Sequence, residues 1–198
     1  MDKIICVGKN YVKHVAEMGY APNEKPVFFL KPPSAMAVGR TDEVISIDLP
    51  QGRGLVHHEC EIVLRLGNDL KIDAVTLGLD MTLRDVQAHQ KEKGLPWEIS
   101  KVFKNSAVIG PWVLLKDFPN YLDDEFSFSL DGAIRQAGRG SQMRMHPKAC
   151  IEAASEYFPL CPGDMIFTGT PEGVGPVAGK QLGELCWGER LRYSVRFN

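Results

Sequence analysis

The segment 57–67, HHECEIVLRLG, sets two carboxylates two positions apart in what otherwise reads as a strand. Side chains alternate along a strand, so Glu59 and Glu61 point the same way. His57 and Arg65 share their side, while Ile62, Leu64 and Leu66 supply an apolar opposite face. Neighbouring ionised carboxylates repel, and each is expensive to bury without a positive charge between them. Two arrangements satisfy this pattern: a solvated strand edge, or a cation site. A hard divalent ion such as Mg2+ or Mn2+ wants oxygen ligands, whereas a softer ion would recruit His57 as well. Cys60 and His58 fall on the other face, which makes Cys60 a packing residue.

Further groups extend either arrangement. Asp80, in GLDMTLRDVQ, ends an apolar run just ahead of a helical segment. There it can be a third oxygen ligand, or simply an N-cap or turn aspartate. Asp85 is the weaker candidate, because a first-turn acid needs no metal to explain it. Arg84 and Gln87 lie three apart on that helix and can face one pocket. His14 and Glu17, in YVKHVAEMG, have the same spacing. A carboxylate there can orient an imidazole and raise its basicity, giving a general base for water, although solvent-facing His–Glu pairs are commoner. Lys101 in EISKVF and Lys31 in FLKPP interrupt apolar surroundings. A lysine near a carboxylate-bound metal can stabilise an enolate or oxyanion. The turn TGTPEGVGP, 168–176, offers backbone amides to a carboxylate but lacks the GK[ST] ending of a phosphate loop.

The elements that must position these groups are mostly strands. IICVG, KPVFFLKPPSAMA (broken by Pro32 and Pro33), HHECEIVLRLG, AVTLGLDMT, GDMIFTGTP and RLRYSVRFN read as strands, and FSFSLDGAIRQ as a hairpin turning at Asp131-Gly132. Three helices are expected. The first is NYVKHVAEMG, with Asn10 as N-cap and Gly19 as stop; the others are RDVQAHQKEKG, closed by Gly94, and HPKACIEAASEYF, with Pro147 near its start. The Pro- and Gly-rich stretch of roughly 22–54 reads as a long connection. Strands outnumber helices, so the expectation is an α+β, predominantly β fold with a few peripheral helices, in one domain spanning 1–198.

Bulk properties narrow the partners. A net charge of −2 and the lack of a basic run argue against nucleic acid. Five scattered cysteines with no CxxC pair argue against a disulfide framework or zinc ribbon and for a reducing compartment. The N-terminal apolar run is too short for a signal peptide and no stretch would span a membrane, so a cytoplasmic protein is expected.

Taken in order, VGKNYVKHVAEMG, PVFFLKP, HHECEIVLRLG, LDMTLRDVQ, KGLPWEISKVF and GDMIFTGTPEGVGP closely resemble the fumarylacetoacetate hydrolase family. The resemblance runs from Ile4 to near the C-terminus. It points to the small single-domain subgroup of acylpyruvate hydrolases, fumarylpyruvate hydrolases and oxaloacetate decarboxylase/tautomerases. It implies a mixed β-sandwich roll, usually a homodimer, holding Mg2+ or Mn2+. By position it implies Glu59, Glu61 and Asp80 as metal ligands, His14 and Glu17 as a water-activating dyad on a lid helix, and Lys101 as catalytic lysine. Lys31, Arg84, Gln87 and Thr170 match pocket-lining residues, and the Gly169–Thr170 backbone is a candidate carboxylate holder. The chain departs from the family pattern between Glu61 and Asp80, where NDLKIDAVTLGLD leaves little room for the usual helix.

The activity this implies is hydrolysis of a C–C bond in a 2,4-dioxo acid such as an acylpyruvate. The alternatives are oxaloacetate decarboxylation or keto–enol tautomerisation by the same enolate chemistry, and a catalytically silent binding protein. The expected partner is a small 2-oxo or 2,4-dioxo acid.

Overall fold

The computed structural model describes residues 1–21, 25–40 and 43–198. Its largest sheet runs in the order β2 (Val27–Lys31), β1 (Ile4–Gly8), β13 (Met165–Phe167), β6 (Cys60–Leu66), β7 (Ile72–Asp80), β9 (Ala107–Ile109) and β3 (Met36–Val38), with β10 (Val113–Leu114) also paired to β7. The sheet is mixed: β1 runs parallel to β13 and antiparallel to β2. Both of its faces are covered. Ile5 and Val7 of β1 enter the main core, while Ile4 and Cys6 join a second cluster with Val63, Ile109 and Phe167. Burial on both faces is why IICVG is apolar without alternation.

A second sheet, in the order β12 (Ala133–Arg139), β11 (Glu125–Leu130), β15 (Leu182–Trp187), β16 (Leu191–Phe197) and β4 (Ile45–Ile47), is covered on one face. Phe126, Phe128, Leu185, Trp187 and Val195 point inward and share the main core with Leu64, Leu77 and Leu79 of the first sheet. The β11–β12 hairpin turns at Asp131-Gly132, whose φ values of 50 and 81° are the left-handed pair that a two-residue connection needs. A third, small sheet pairs β14 (Gly175–Pro176), β5 (Val56–His58) and β8 (Thr82–Leu83). The helices are α1 (Val12–Glu17), α2 (Arg84–Lys93), α3 (Glu98–Lys101) and α4 (Pro147–Ser155). The predominantly β, mixed-sheet class expected from the sequence is the one observed.

Several local expectations are corrected. The segment 57–67 is not one strand: it breaks at Glu59, where β5 in the small sheet hands over to β6 in the large one. The 22–54 stretch is not a plain connection, because it carries β2, β3, β4 and a 3-10 turn at Pro33–Ala35; its residues 22–24 and 41–42 lie outside the described residues. Asn10 does not cap α1; Tyr11 holds the N-cap position without a side-chain bond. The short connection between Glu61 and Asp80 is a tight turn, closed by the Gly67 N–H donating to the Lys71 carbonyl at 2.8 Å. It leaves β7 paired on both sides, to β6 and β9, so the scaffold under Asp80 is intact. No helix among the described residues is long and apolar enough to cross a membrane.

Candidate metal centre and active site

The register of β6 on β7 assembles the acidic group. Cys60 pairs with Leu79 and Glu61 with Gly78, so Glu61 and Asp80 are diagonal neighbours on one face. The Asp80 N–H donates to the Glu59 carbonyl at 2.9 Å, which brings Glu59 alongside at the strand break. Carboxylate oxygens of Glu59, Glu61 and Asp80 lie within 4.8 Å of one another. At 6%, 3% and 1% exposure these residues exclude a solvated strand edge.

Three cations surround two of the three acids. Lys101, brought in by the last turn of α3, spends its three N–H groups on Glu59 Oε2 (2.8 Å), Asp80 Oδ2 (2.6 Å) and Thr82 Oγ1 (2.7 Å). Burial alone would lower its pKa, but Asp80 and Glu59 more than reverse this and keep the ammonium protonated. Arg84 pairs with Glu59 Oε1 and donates to Gln87 Oε1 at 2.7 Å. Burial likewise pushes the Glu59 carboxyl up, yet Lys101, Arg84 and His14 outweigh it and hold Glu59 well below the ordinary carboxylate value. Glu61 goes the other way. Burial, then repulsion from Asp80 and Glu59, raises its pKa far above the ordinary value, opposed mainly by the Gly169 N–H donated to its Oε2 at 2.7 Å. No cation pairs directly with Glu61 among the described residues.

Lys31 stands behind Asp80 rather than in the cleft. It is fully buried, and its Nζ donates to the carbonyls of Met81 (3.2 Å), Ser106 (3.0 Å) and Lys101. Those three bonds use all its N–H groups. Asp80 Oδ1 is therefore 2.8 Å from the Lys31 charge yet receives no hydrogen bond.

The opposite side of the cleft is formed by α1, the helix that the family resemblance casts as a lid. His14 of α1 places Nδ1 3.2 Å from Glu17 Oε2, and Glu17 Oε1 accepts the Gly173 N–H at 3.0 Å. His14 lines the cleft with the three acids, Arg84, Gln87, Lys101 and Thr170. Of the catalytic, metal and pocket residues singled out in the sequence, Glu17, Lys31 and Gly169 are absent from the lining: Glu17 is engaged by His14 and the Gly173 amide, Lys31 donates to buried carbonyls, and the Gly169 amide is spent on Glu61. Gly169 itself is required there. Its φ is +94°, and a Cβ would lie 2.8 Å from that of Asn10 and 2.9 Å from the Val7 carbonyl. Asp85 accepts the Leu55 N–H at 3.1 Å and is a loop anchor. His57 receives an N–H from Arg84 at 3.4 Å and does not join the acids. Cys60 packs in the core.

The sequence model of the family described as fumarylacetoacetate (FAA) hydrolase C-terminal matches residues 3–195. The chain belongs to the fumarylacetoacetate hydrolase family. Among family relatives it is similar to the oxaloacetate tautomerase YcgM of Escherichia coli, 37% identical over 194 residues that cover 92% of this chain and 87% of that protein. It is also similar to the human mitochondrial oxaloacetate tautomerase FAHD1, 37% identical over 88% of this chain and 81% of that one. Among solved structures, the fumarylpyruvate hydrolase of Pseudomonas aeruginosa in complex with Mn2+ and pyruvate superposes with a TM-score of 0.92. It is 34% identical, and the match covers 98% of this chain and 88% of that one.

The acidic group fits a divalent cation on its own chemistry. It offers converging hard oxygen donors, and one of its carboxylates, Glu61, has no cation partner among the described residues.

Two residues that shape this family site escape the sequence reading. Gln136 of β12 has all its amide valences filled: Oε1 accepts from the Cys60 N–H and His58 Nδ1 (both 2.9 Å), and Nε2 donates to Thr170 Oγ1 (2.8 Å) and the Pro171 carbonyl (2.9 Å). It thereby ties the start of β6 to the glycine-rich loop. A register shift in β12 breaks the alternation, so that Gln136 is buried while Ile134, two residues before it, is 71% exposed. Asn10, fully buried, donates to the Met145 and Thr168 carbonyls (2.9 and 2.8 Å) and accepts the Met145 N–H (2.7 Å), bracing the same loop.

Proposed function

We propose that this chain is a single catalytic domain, working as a homodimer, that hydrolyses a C–C bond in a 2,4-dioxo acid of the acylpyruvate class. Glu59, Glu61 and Asp80 are the residues that would hold a Mg2+ or Mn2+. A divalent ion there supplies Lewis acidity toward a 2-oxo acid. The observation that carries the hydrolytic reading is the His14–Glu17 dyad: a buried imidazole, oriented by a carboxylate that is itself pinned by the Gly173 amide, opening on the cleft that holds the acids. With Nδ1–H donated to Glu17, His14 Nε2 is the lone pair that takes a proton from water. The resulting hydroxide oxygen bonds to the distal carbonyl carbon. The C–C bond to the pyruvate half then breaks, its electron pair passing into a pyruvate enolate. Lys101, held as an ammonium by its acidic neighbours, stabilises the enolate through its positive charge, and Arg84 and Gln87 orient the carboxylate end. The proton on His14 returns to the enolate carbon to give pyruvate.

A second reading is enolisation or decarboxylation of oxaloacetate, which draws on the names of the 37%-identical relatives. It uses the same acids and Lys101 but needs no activated water.

One experiment separates them: turnover of acetylpyruvate, fumarylpyruvate and oxaloacetate with defined Mn2+, by wild type and His14→Ala. Hydrolysis predicts that His14→Ala abolishes dioxo-acid cleavage. Retained cleavage by His14→Ala refutes the water-activating role. Glu61→Ala is expected to lose metal affinity and about 10^3-fold or more in kcat/KM, an effect of about 4 kcal/mol. An active, metal-free Glu61→Ala protein would overturn the assignment of the acids.

A further inference from the structure

Arg84, Gln87 and Lys91 fall at i, i+3 and i+7 on α2, one stripe of the helix, and all three line the cleft. At about 1.5 Å rise per residue, Lys91 lies roughly two turns, or about 10 Å, beyond the Arg84 that pairs with Glu59. Its surroundings are aromatic and cationic. Nζ donates to the Tyr20 hydroxyl and sits 4.9 Å from the Tyr20 ring centroid and 5.0 Å from that of Trp97. No carboxylate lies within ion-pair distance of Lys91 among the described residues. Glu59, whose charge it feels, is already engaged by Lys101 and Arg84. Burial first, then the Arg84 charge, lowers the Lys91 pKa to about 8. The environment thus holds a half-buried cation that no carboxylate among the described residues pairs with directly. Structural lysines are normally solvated or paired.

We propose that Lys91, framed by Tyr20 and Trp97, is an anion subsite for a distal carboxylate, making this enzyme selective for dicarboxylic oxo acids long enough to reach from the acidic centre to the far end of α2. The inference deepens the reading above, in which Arg84 and Gln87 orient the 2-oxo acid end. Two turns of helix favour a longer diacid such as fumarylpyruvate over the short diacid oxaloacetate, and over acetylpyruvate, which has no second carboxylate. Tyr20 follows α1, so a carboxylate at Lys91 would also meet the lid side of the cleft. The aromatic frame excludes water, which strengthens a charged hydrogen bond there.

The test uses a pair of unreactive ligands of equal length, 2-oxoadipate and 2-oxohexanoate, which differ only in the distal carboxylate. Their Kd values are measured by calorimetry on the Mn2+-loaded protein. Wild type is expected to bind the dianion about 10-fold or more tighter, in line with a charge-assisted hydrogen bond. Lys91→Met, which keeps a stem against the two rings, should bring that ratio close to one with 2-oxohexanoate affinity unchanged, and Lys91→Arg should restore it. Tyr20→Phe should leave most of the ratio in place. A wild-type ratio near one, or a ratio that survives in Lys91→Met, overturns the subsite. A Lys91→Met protein that loses both ligands equally does so too, since that marks a purely structural lysine. Because the readout is binding, absence of dioxo-acid turnover would refute the hydrolase reading and leave this result to be judged separately.

Discussion

On one side of the cleft, Glu61 and Asp80 stand on strands paired on both sides and Glu59 at the break before β6, with two lysines and an arginine locked against Glu59 and Asp80. On the other, His14 and Glu17 stand on a six-residue helix whose only buried residues are His14 and Val15. The sheet side gathers like charges and must be rigid, because every carboxylate there depends on partners at fixed positions. The lid side carries one imidazole–carboxylate pair; Tyr11 ahead of the helix joins the main core, and Val15 is the helix's one buried apolar side chain. Short helices with few buried apolar contacts open at low free energy, which suits a segment that must admit substrate. On the function proposed above, the difference amounts to a division of labour: stability and charge are concentrated in the sheet, and proton transfer is assigned to the lid.

The largest effect that would break this division is on the sheet side. Lys31→Met removes the donor to three buried carbonyls and the charge beside Asp80. Breaking a buried, hydrogen-bonded charge pair costs about 3–5 kcal/mol. Urea denaturation of the metal-free protein should show that loss, and saturating Mn2+ should recover part of it, because a ligand specific to the native state stabilises it. A Lys31→Met protein within about 1 kcal/mol of wild type would show that the sheet side is not held by its charge network.

A smaller effect sharpens the comparison from the lid. Glu17→Gln keeps size and hydrogen-bonding capacity but removes the carboxylate that orients His14. The expected outcome is a fall in kcat of about 10- to 100-fold with the urea midpoint almost unmoved, since the imidazole remains and only part of general-base assistance worth about 10^2- to 10^4-fold is lost. If the substitution lowered stability as much as Lys31→Met, the lid would be a structural element like the sheet, and the division would fail.

The two sides also differed in how well they could be read from the sequence. Glu59, Glu61 and Asp80 were legible because strand parity is a local property: side chains two apart share a face, and the register of β6 on β7 only had to carry Asp80 beside them. The Asp131-Gly132 turn and the Gly94 helix stop were equally local. Lys31 is placed in the pocket by the resemblance alone, and a match by position says nothing of the carbonyls that hold its side chain behind Asp80. Gln136 and Asn10 were missed for a related reason. Their bonds reach 34 to 158 residues along the chain, and the register shift that turns Gln136 inward has no signature in AIRQ. The break at Glu59 depends on two different sheets competing for one strand, which no window of residues reveals.

The smallest predicted effect concerns the prop beneath the sheet side. His58 is buried against the Phe128 ring, with centroids 4.5 Å apart, and donates Nδ1–H to Gln136 Oε1. Burial lowers its pKa to about 4, only partly offset by the Gln136 bond. The folded protein therefore binds fewer protons than the unfolded chain between pH 6.5 and about 4. Stability contributed by this group is fully present above the unfolded value of about 6.5 and is lost as pH falls toward 4. One proton limits the slope to about 1.4 kcal/mol per pH unit. Between pH 6.5 and 4.5, above the range where ordinary carboxylates titrate, unfolding free energy should decline more steeply in wild type than in His58→Gln. Parallel curves for the two proteins would mean that the imidazole is not held neutral by the fold, and that Gln136 braces the β6 entry without it.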